Sequence, residues 1–224
     1  QIVKQLVMPG NGSVRDIVTA SDLSAAYAAT WDGITVVDAF TMQLYDTDIS
    51  TPEIDKINIG ANNIVRSVAL DPSGNYLYAA GDGKIHVIDL RIGSDDYMKV
   101  TDVIADFNSF SRGIIRSLAI NADGTRLFAA IPDSTMFGSN GWLRNGSGAL
   151  KGNIAVINID EKDRPADQSP FAANPKKWRE TIGQFEAGLE PRDIEATVDR
   201  DRMIFSTLGD KRRGFHTLKI TNDD

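Results

Sequence analysis

The amino-acid sequence predicts an all-β chain in which one four-stranded antiparallel sheet occurs four times. A phrase that opens with arginine recurs at four places along the 224 residues. Each copy leads into a turn sequence and then into short runs of apolar or alternating residues, a pattern typical of antiparallel strands. The first three copies follow one another at a period of about 50 residues, and periods of this size indicate a repeat architecture.

The first strand of each unit is the arginine-led phrase itself. Its four copies begin at Arg15, Arg66, Arg116 and Arg192. The second copy ends in Asp-Pro-Ser-Gly at 71–74, and the third ends in Asn-Ala-Asp-Gly at 121–124. Asp, Asn, Pro and Gly are the residues that tight turns prefer. We therefore expect each phrase to form a short strand that runs directly into a turn.

The second and third strands follow with different patterns. Runs rich in small residues, which suit close packing between sheets, predict the second strand at 25–29, 76–80, 126–130 and 203–207. A glycine then marks a hairpin, as at Gly33 and Gly83. Alternating apolar residues predict the third strand at 34–38, 85–89, 154–158 and 215–220.

A fourth, edge-type strand is predicted in the first three units, at 54–60, 99–104 and 181–185. Four antiparallel strands in about 50 residues make one blade of a β-propeller. We therefore predict a single β-propeller domain or segment over residues 1–224, with residues 1–10 as an outer strand. The predicted repeats are 11–60, 61–110, 111–187, which carries an insertion at 132–151 and an extension at 160–178, and 188–224.

The repeated phrase resembles a known family of propeller repeats. The run Ser-Val-Ala-Leu-Asp-Pro-Ser-Gly-Asn-Tyr-Leu-Tyr-Ala-Ala at 67–80 is similar to the YVTN-type, lactonase-like repeat, and the similarity covers nearly the whole chain. That family includes lactone-hydrolysing enzymes and non-catalytic bacterial surface modules, so the resemblance implies the fold and leaves the activity open. The WD repeat fits less well, because no unit ends its third strand in Trp-Asp.

Two arrangements of the blades fit the sequence. The last unit has no outer strand of its own, whereas residues 1–10 match the strand that precedes each later phrase. Residues 1–10 could therefore close a four-bladed ring. Alternatively, the four blades belong to a larger ring of about six to eight blades. We favour the larger ring. A fragment of four blades from such a ring would expose an apolar sheet face at each end, and these faces would promote dimerisation or aggregation.

The composition excludes several functions. The net charge is −7 and the pI is about 4.9, which argues against a broad basic face for nucleic acid. The chain has no cysteine, so disulfides, a thiol nucleophile and thiolate metal sites are excluded. No stretch reaches the roughly 20 apolar residues of a membrane span. The missing initiating methionine indicates a processed or excised chain. The sequence does not determine the location, for which we favour the extracellular space, the cell surface or the periplasm.

The four phrase-leading arginines are the first candidate site. Equivalent positions of propeller blades surround one axis, so these guanidinium groups are predicted to converge at one mouth of the channel. There they could bind the carboxylate or phosphate of a small anionic ligand. The alternative, which we favour, is structural: each arginine bridges to an acidic neighbour, for which Asp16 and Asp193 are available.

The second candidate site, for a protein partner, consists of the long loops of the third repeat (111–187). Long loops on a rigid scaffold are commonly functional, and aromatic and arginine side chains are favoured interface anchors. The predicted partner-binding residues are Phe137, Trp142, Leu143, Arg144 and Trp178. In the alternative reading, Trp142 and Trp178 cover the apolar edge of the blade.

The sequence indicates no catalytic or metal site, and we predict no cofactor. His86 and His216 lie on third strands without a third metal-type ligand at a useful spacing, so we interpret them as structural. Aspartates that follow the first strands are expected to bind backbone amides of their turns. They are Asp22, Asp71, Asp123 and Asp199.

These observations favour a non-catalytic binding module of a larger, exported bacterial protein, with a protein or a small anionic ligand as its partner. A lactonase-like hydrolase that holds an anionic substrate at the channel mouth is one alternative, and a structural spacer is another. We expect neither nucleic-acid binding nor membrane insertion. The expected assembly is a dimer or the remainder of a larger propeller.

Overall fold

The architecture is that of a computed structural model. The structure describes residues 4–9, 13–60, 64–81, 83–105, 107, 114–132, 152–166, 174–187, 190–197, 202–208 and 214–219. Within them the chain consists mainly of strands and turns, and it divides into two compact units, Gln1–Val103 and Ile104–Asp224. None of the described helical segments is long and apolar enough to cross a membrane.

The first unit contains two four-stranded antiparallel sheets. Only Ile104, the last residue of the second sheet, belongs to the other unit. Sheet 1 consists of β1 (Asp16–Thr19), β2 (Ala25–Thr30), β3 (Gly33–Asp38) and β4 (Gln43–Tyr45), paired in chain order. Sheet 2 consists of β5 (Ser67–Leu70), β6 (Tyr76–Ala80), β7 (Ile85–Asp89) and β8 (Val100–Ile104), also paired in chain order. The register in sheet 1 is regular, since Val18 lies opposite Tyr27 and Tyr27 lies opposite Val36.

Sheets 1 and 2 pack face to face through one apolar cluster. Tyr27 and Val36 of sheet 1 belong to the same cluster as Val68, Leu77 and Ile88 of sheet 2, and all of these side chains are buried. The small residues of β2 and β6 have no bulk to separate the sheets, so the two faces can approach closely. The runs of alanine that predicted the second strands therefore also explain the packing.

The second unit contains sheets 3 and 4. Sheet 3 consists of β9 (Ser117–Ile120), β10 (Arg126–Ile131), β11 (Asn153–Asn158) and β12 (Thr181–Glu186), in the order β12-β11-β10-β9. Sheet 4 consists of β13 (Glu190–Ala196), β14 (Arg202–Leu208) and β15 (Gly214–Lys219). A 3-10 helix at Glu161–Asp163 lies between β11 and β12. The core of this unit joins Phe128 and Ile154 of sheet 3 to Ile194, Met203 and Phe205 of sheet 4.

The predicted all-β chain of four antiparallel sheets is confirmed, but the outer strand of sheet 1 is not where the sequence placed it. The prediction was 54–60, whereas β4 follows β3 almost at once. The carboxylate of Asp38 accepts hydrogen bonds from two N–H groups in the connecting turn and so closes it tightly. Ile57 still exchanges two backbone hydrogen bonds with Ile34. The edge of β3 is therefore shared by β4 and the segment around Ile57.

Other predicted segments are only partly described. Residues 4–9 of the predicted outer strand 1–10 are not in a strand, and sheet 4 has three strands among the described residues. Apart from Pro132, the insertion at 132–151 lies outside the described residues. The extension at 160–178 is described at both ends, where it forms the 3-10 helix and a bridge between Trp178 and Asn158.

Candidate functional site

Three of the four phrase-leading arginines occupy equivalent backbone positions. Their N–H groups donate to carbonyl oxygens of the second strands, with N···O distances of 2.9, 2.7 and 2.9 Å; the pairs are Arg15 with Ala29, Arg66 with Ala80 and Arg116 with Ala130. Each of the three stands directly before the first strand of its sheet. Arg192 differs, because it lies inside β13 where the register shifts between Pro191 and Asp193. The fourth repeat therefore departs from the other three at this position.

The arginine side chains differ in exposure. Arg15 and Arg192 are exposed, whereas Arg66 and Arg116 are partly buried. The guanidinium of Arg15 lies 4.6 Å from the centroid of the Trp31 ring, in a cation–π contact. The first two arginines belong to one unit and the last two to the other. Their convergence at one channel mouth stays a prediction.

Beside the arginines, a carboxylate and a serine hydroxyl join the two sheets of each unit. In the first unit, Oδ2 of Asp16 accepts hydrogen bonds from the Ser67 hydroxyl at 2.7 Å and from the Val68 N–H at 3.0 Å. In the second unit, the Ser117 hydroxyl donates to Oδ1 of Asp193 at 2.9 Å. Both aspartates, which the sequence offered as partners for arginine, thus bind serine across a sheet boundary.

Trp178 is the one predicted partner-binding residue that the structure describes, and it is half-buried. The guanidinium groups of Arg179 and Arg164 lie 4.1 and 5.3 Å from the centroid of its ring. Its backbone N–H donates to Oδ1 of Asn174 at 2.8 Å, and the Asn174 side-chain amide donates back to its carbonyl oxygen at 2.9 Å. These contacts hold Trp178 beside β11. Phe137, Trp142, Leu143 and Arg144 lie outside the described residues.

The two histidines are packed among neighbouring strands. His86 is buried in β7, and burial together with the nearby Lys84 lowers its pKa. The ring of His216 stacks on Phe205 with centroids 5.2 Å apart, and its Nε2 lies 3.2 Å from Oγ1 of Thr207. Among the described residues, no group of three His, Asp or Glu side chains is placed to hold a metal ion.

A cleft between sheets 1 and 2 is a feature that the sequence did not predict. It encloses about 490 Å³ at the end of the two sheets where the turns after β1 and β5 lie. Three tyrosines line it, Tyr27 from β2, Tyr45 from β4 and Tyr97 from the segment before β8. Asp22 and Asp38 supply two carboxylates to its lining. Its floor is continuous with the apolar cluster that joins the sheets.

The ionisable groups of the cleft influence one another, which shows that they lie close together. Burial raises the pKa of Tyr27 to about 12, with contributions from Tyr97 and from the carboxylate of Asp22. Burial also raises the pKa of Tyr97, and Tyr45 adds to the effect. Tyr27 and Tyr97 are therefore neutral phenols over the physiological pH range.

Both carboxylates of the cleft are held in the charged form by hydrogen bonds from their own turns. The hydroxyl and N–H groups of Ser24 lower the pKa of Asp22, and the N–H groups of Thr41 and Phe40 lower the pKa of Asp38. A hydrogen bond to a carboxylate favours its ionised state. The cleft consequently carries two negative charges at neutral pH.

The backbone around the cleft is fixed in an unusual conformation. Leu23, between the lining residues Asp22 and Ser24, has φ 58°, and the lining residue Met98 has φ 59°. Side chains of this size rarely adopt the left-handed region. The N–H of Met98 donates to the carbonyl of Asp89 at 2.7 Å, and that of Leu23 donates to Ala20 at 2.9 Å. These bonds hold the turns in place.

Comparison with solved structures places this arrangement in a known fold. The chain is similar to Kuenenia stuttgartiensis hydrazine synthase, with a TM-score of 0.61 and 15% identity over 98% of this chain and 49% of that one. The RRP9 WD40 repeats match at a TM-score of 0.56 and 13% identity, over 90% and 47% of the two chains. The fold is a β-propeller. The Cps50 (Swd1) β-propeller domain of Myceliophteria thermophila also matches, at a TM-score of 0.54 and 15% identity over 94% and 52%.

The sequence comparisons cover less of the chain. The family model described as WD domain, G-beta repeat, matches residues 56–89, from the segment around Ile57 to the end of β7. A search of curated proteins finds no match. This segment is thus similar to a WD repeat, although β7 ends in Ile88 and Asp89 rather than in Trp-Asp. A propeller repeat is confirmed, and the YVTN type stays a prediction.

The solved structures that match are longer than this chain. The chain spans about half the length of the solved propeller proteins that it resembles. At 13–15% identity, their similarity to this chain concerns the fold alone. The function must therefore be argued from the site.

Proposed function

We propose that this chain is a protein-binding module, and that the cleft between sheets 1 and 2 is part of its binding surface. The observation that carries the proposal is a preformed cleft with apolar side chains in solvent at its rim. Ile92 lines the cleft and is 93% exposed, and Tyr45 lines it and is 43% exposed. Leu23, next to the lining residue Asp22, is 65% exposed. Clustered apolar exposure of this kind marks interaction sites.

Two further points support binding rather than chemistry. The cleft carboxylates already bind the amides of their own turns, and their depressed pKa values make them poor proton acceptors at neutral pH. Residues 56–89 also match the model of the WD repeat, and the solved propellers that resemble this chain include WD40 repeats. A binding role uses both the rigid sheets and the apolar rim, so we favour it over a hydrolase or a spacer.

Site-specific photocrosslinking tests the proposal. A benzoylphenylalanine in place of Ile92 should give a discrete crosslinked product with a protein from the cells that make this chain. The matched control is the same replacement at Ile49, which is 91% exposed but does not line the cleft. No product at position 92, or the same products at both positions, would contradict the proposal.

We further propose that the long loops of the third repeat, which belongs to the second compact unit, form a partner-binding surface of their own. Phe137, Trp142, Leu143, Arg144 and Trp178 would supply its anchors. Deletion of residues 138–149 should weaken binding of the crosslinked partner while the melting transition stays nearly unchanged. Unchanged partner affinity after the deletion would count against a role for these loops.

The arginines are proposed as an anion site for acidic groups of a partner or for a small anionic ligand. The equivalent backbone positions of Arg15, Arg66 and Arg116 support this idea. Inorganic phosphate should then raise the melting temperature of the chain. Replacement of Arg66 and Arg116 with alanine should remove that shift, whereas Lys99→Ala should retain it. A shift that survives in the double variant would refute the anion site.

Export and a larger parent protein complete the proposal. We propose that the chain is one part of a longer bacterial protein that acts outside the cytoplasm, a location with which a cysteine-free sequence is compatible. Immunoblotting of cell fractions from the source organism tests both points. The antigen should be found outside the cytoplasmic fraction and at a mass above 24.4 kDa.

A further inference from the structure

We propose that the cleft between sheets 1 and 2 binds the cationic side chain of a lysine or arginine in a partner protein. This inference rests on the proposed protein-binding function and names the chemistry of the group that the cleft selects. Three properties of the described residues lead to it: an apolar floor between two sheets, a phenol hydroxyl at the cleft that has no partner within the described chain, and two carboxylates in the charged form.

The floor of the cleft suits the alkyl part of a long side chain. Leu70 of sheet 2 and Val36 of sheet 1 line it together with Leu90, directly after β7, and Met98. All four belong to the apolar cluster between the sheets or pack against it. Lysine and arginine bury their methylene groups on such surfaces and keep the charged group at a polar end. The cleft offers this combination of an apolar base and a charged rim.

The hydroxyl of Tyr27 supplies a polar group inside the cleft. Tyr27 is only 6% exposed and lines the cleft, while its hydroxyl reaches the open space and has no hydrogen-bond partner among the described residues. A ligand can therefore bind this hydroxyl without breaking a hydrogen bond within the chain. Since the phenol stays neutral, its oxygen can accept a hydrogen bond from an ammonium or guanidinium N–H.

The rings of Tyr45 and Tyr97 add aromatic surface around the same space. Both line the cleft beside Tyr27, and Tyr97 acts electrostatically on Tyr27 as Tyr45 does on Tyr97. A cation near tyrosine rings is attracted by the negative faces of the rings. Three tyrosines around one opening therefore favour a positively charged group over a neutral one.

The two carboxylates complete the charge complementarity. Oδ1 of Asp22 accepts two hydrogen bonds from Ser24, and Oδ1 of Asp38 accepts two from its own turn. Within the part of the chain that the structure describes, Oδ2 of Asp22 has no hydrogen-bond partner, whereas the side chain of Thr41 also helps to lower the pKa of Asp38. The lining residues there include no lysine or arginine that could neutralise the pair. Oδ2 of Asp22 can thus accept a charge-assisted hydrogen bond from a ligand, and the negative charge of Asp38 adds to the attraction of a cation.

The size of the cleft and its rim favour a side chain of a protein over a metal ion. A space of about 490 Å³ is far larger than a cation that needs six to eight oxygen ligands within about 2.6 Å. The exposed Ile92 and Tyr45 can contact the residues on either side of an inserted lysine. The net charge of −7 would also accelerate the approach of a basic partner.

The test uses NMR titration of the whole chain with a defined peptide, acetyl-Gly-Ala-Lys-Ala-Gly-amide. The expected result is saturable shifts of amides around the cleft, such as those of Ser24, Tyr45 and Ile92. The same peptide with norleucine in place of lysine, which keeps the alkyl chain and lacks the charge, should bind at least about tenfold more weakly. A glutamate peptide should not bind. Equal affinity for the lysine and norleucine peptides, or shifts confined to other regions, would overturn the proposal.

Matched variants test the carboxylates and the phenol. The double variant Asp22→Asn, Asp38→Asn keeps both turn acceptors and should weaken binding of the lysine peptide about tenfold, with an unchanged melting temperature. Asp48→Asn is the control, because Oδ1 of Asp48 binds Ser50 as that of Asp22 binds Ser24, yet Asp48 does not line the cleft. Tyr27→Phe should weaken binding several-fold. Full affinity in the double variant would refute the inference.

The proposed function and this inference fail in different ways. If crosslinking at position 92 yields a partner whose affinity is unchanged in the Asp22→Asn, Asp38→Asn variant, the module binds protein without selecting a cation, and the inference is wrong. If no product forms at position 92 but the lysine peptide binds in the cleft as described, the proposed partner surface is wrong and the cation site is supported.

Discussion

At the scale of single residues, the contact between Asp16 and Ser67 contributes directly to the stability of the first unit. One carboxylate oxygen binds both a hydroxyl and an N–H group of sheet 2. Without this carboxylate, the Ser67 hydroxyl and the Val68 N–H both lose their acceptor, which lowers the free energy of unfolding by about 1–3 kcal/mol. We expect Asp16→Ala to lower the free energy of unfolding by that amount and Asp16→Asn to lower it less.

A double-mutant cycle separates this contact from other effects of the substitutions. Ser67→Ala in the Asp16→Ala background should cost clearly less than Ser67→Ala alone, with a coupling of about 0.5 kcal/mol or more in urea unfolding. Strictly additive losses would mean that the hydrogen bond contributes nothing. Asp48→Ala, which removes an exposed carboxylate from a turn after β4, gives the background level for such changes.

Asp89 makes the stability dependent on pH. Its side chain is buried at the end of β7, and hydrogen bonds from the Arg91 guanidinium, at 2.6 Å for the shortest, lower its pKa to about 2. Ser94 donates a further hydrogen bond to the same carboxylate. In the unfolded chain the pKa of an aspartate is about 3.9. Above that pH the native state has the full benefit of the charged form, and the benefit is lost as pH falls towards 2.

The matching variant is Asp89→Asn. At pH 6 it should unfold at a lower urea concentration than the parent chain, because the ion pair is lost. Between pH 4 and pH 2 the parent should lose this advantage, so the gap between the two unfolding free energies should narrow. A gap that stays constant from pH 5 to pH 2.5 would show that the carboxylate of Asp89 is not the group responsible.

At the scale of elements, the sequence predicted strands well where a turn signal followed an apolar run. The turns at 71–74 and 121–124 fall between β5 and β6 and between β9 and β10. The prediction was wrong for the outer strand of sheet 1, since the tight turn closed by Asp38 looks like any other polar stretch. The bulge at Arg192 was also missed, because nothing in the phrase distinguishes it from the three regular copies.

Gly33 is an element-scale position where the backbone requires glycine. It opens β3 with φ 145°, and a Cβ there would lie 2.9 Å from the carbonyl oxygen of Ile57. That oxygen accepts the N–H of Ile34, so it cannot move without loss of the bridge to the outer segment. We expect Gly33→Ala to cost about 1–3 kcal/mol in thermal or urea unfolding.

The control is another strand glycine in the same type of sheet. A Cβ at Gly183 of β12 meets nothing within 4 Å, and its backbone does not require glycine. Gly183→Ala should therefore change the unfolding free energy by no more than about 0.5 kcal/mol. Equal losses for the two substitutions would mean that the close contact with Ile57 is not the cause.

At the scale of the whole molecule, the cleft could not be predicted from the sequence, because its lining comes from different blades. Tyr27 and Tyr97 are neighbours only after sheets 1 and 2 have packed. Asp22 was correctly interpreted as a turn residue. That interpretation did not indicate that Asp22 also lines a cleft. A recurrence of aromatic residues beside the turns of adjacent blades is the sequence pattern from which the cleft could have been predicted. Trp178, a predicted partner-binding residue, is half-buried with Arg164 and Arg179 packed on its ring, and its role in binding stays a prediction.

Each unit has its own apolar cluster, and this predicts how stability is distributed along the chain. Leu77 is fully buried in the cluster of the first unit, and Ile154 is fully buried in that of the second. Replacing either with alanine leaves a cavity and should cost about 2–5 kcal/mol. In repeat architectures the effect is strongest in the repeat that is changed and in its neighbours.

Native-state hydrogen exchange should therefore report two complementary patterns. Leu77→Ala should accelerate exchange of amides in β2 and β6 more than of those in β10 and β14, and Ile154→Ala should do the reverse. Each variant serves as the control for the other, since both remove methyl groups from a fully buried site. If both variants accelerated all four strands equally, the two clusters would belong to one cooperative unit, and the division of the chain at Val103 would not extend to its stability.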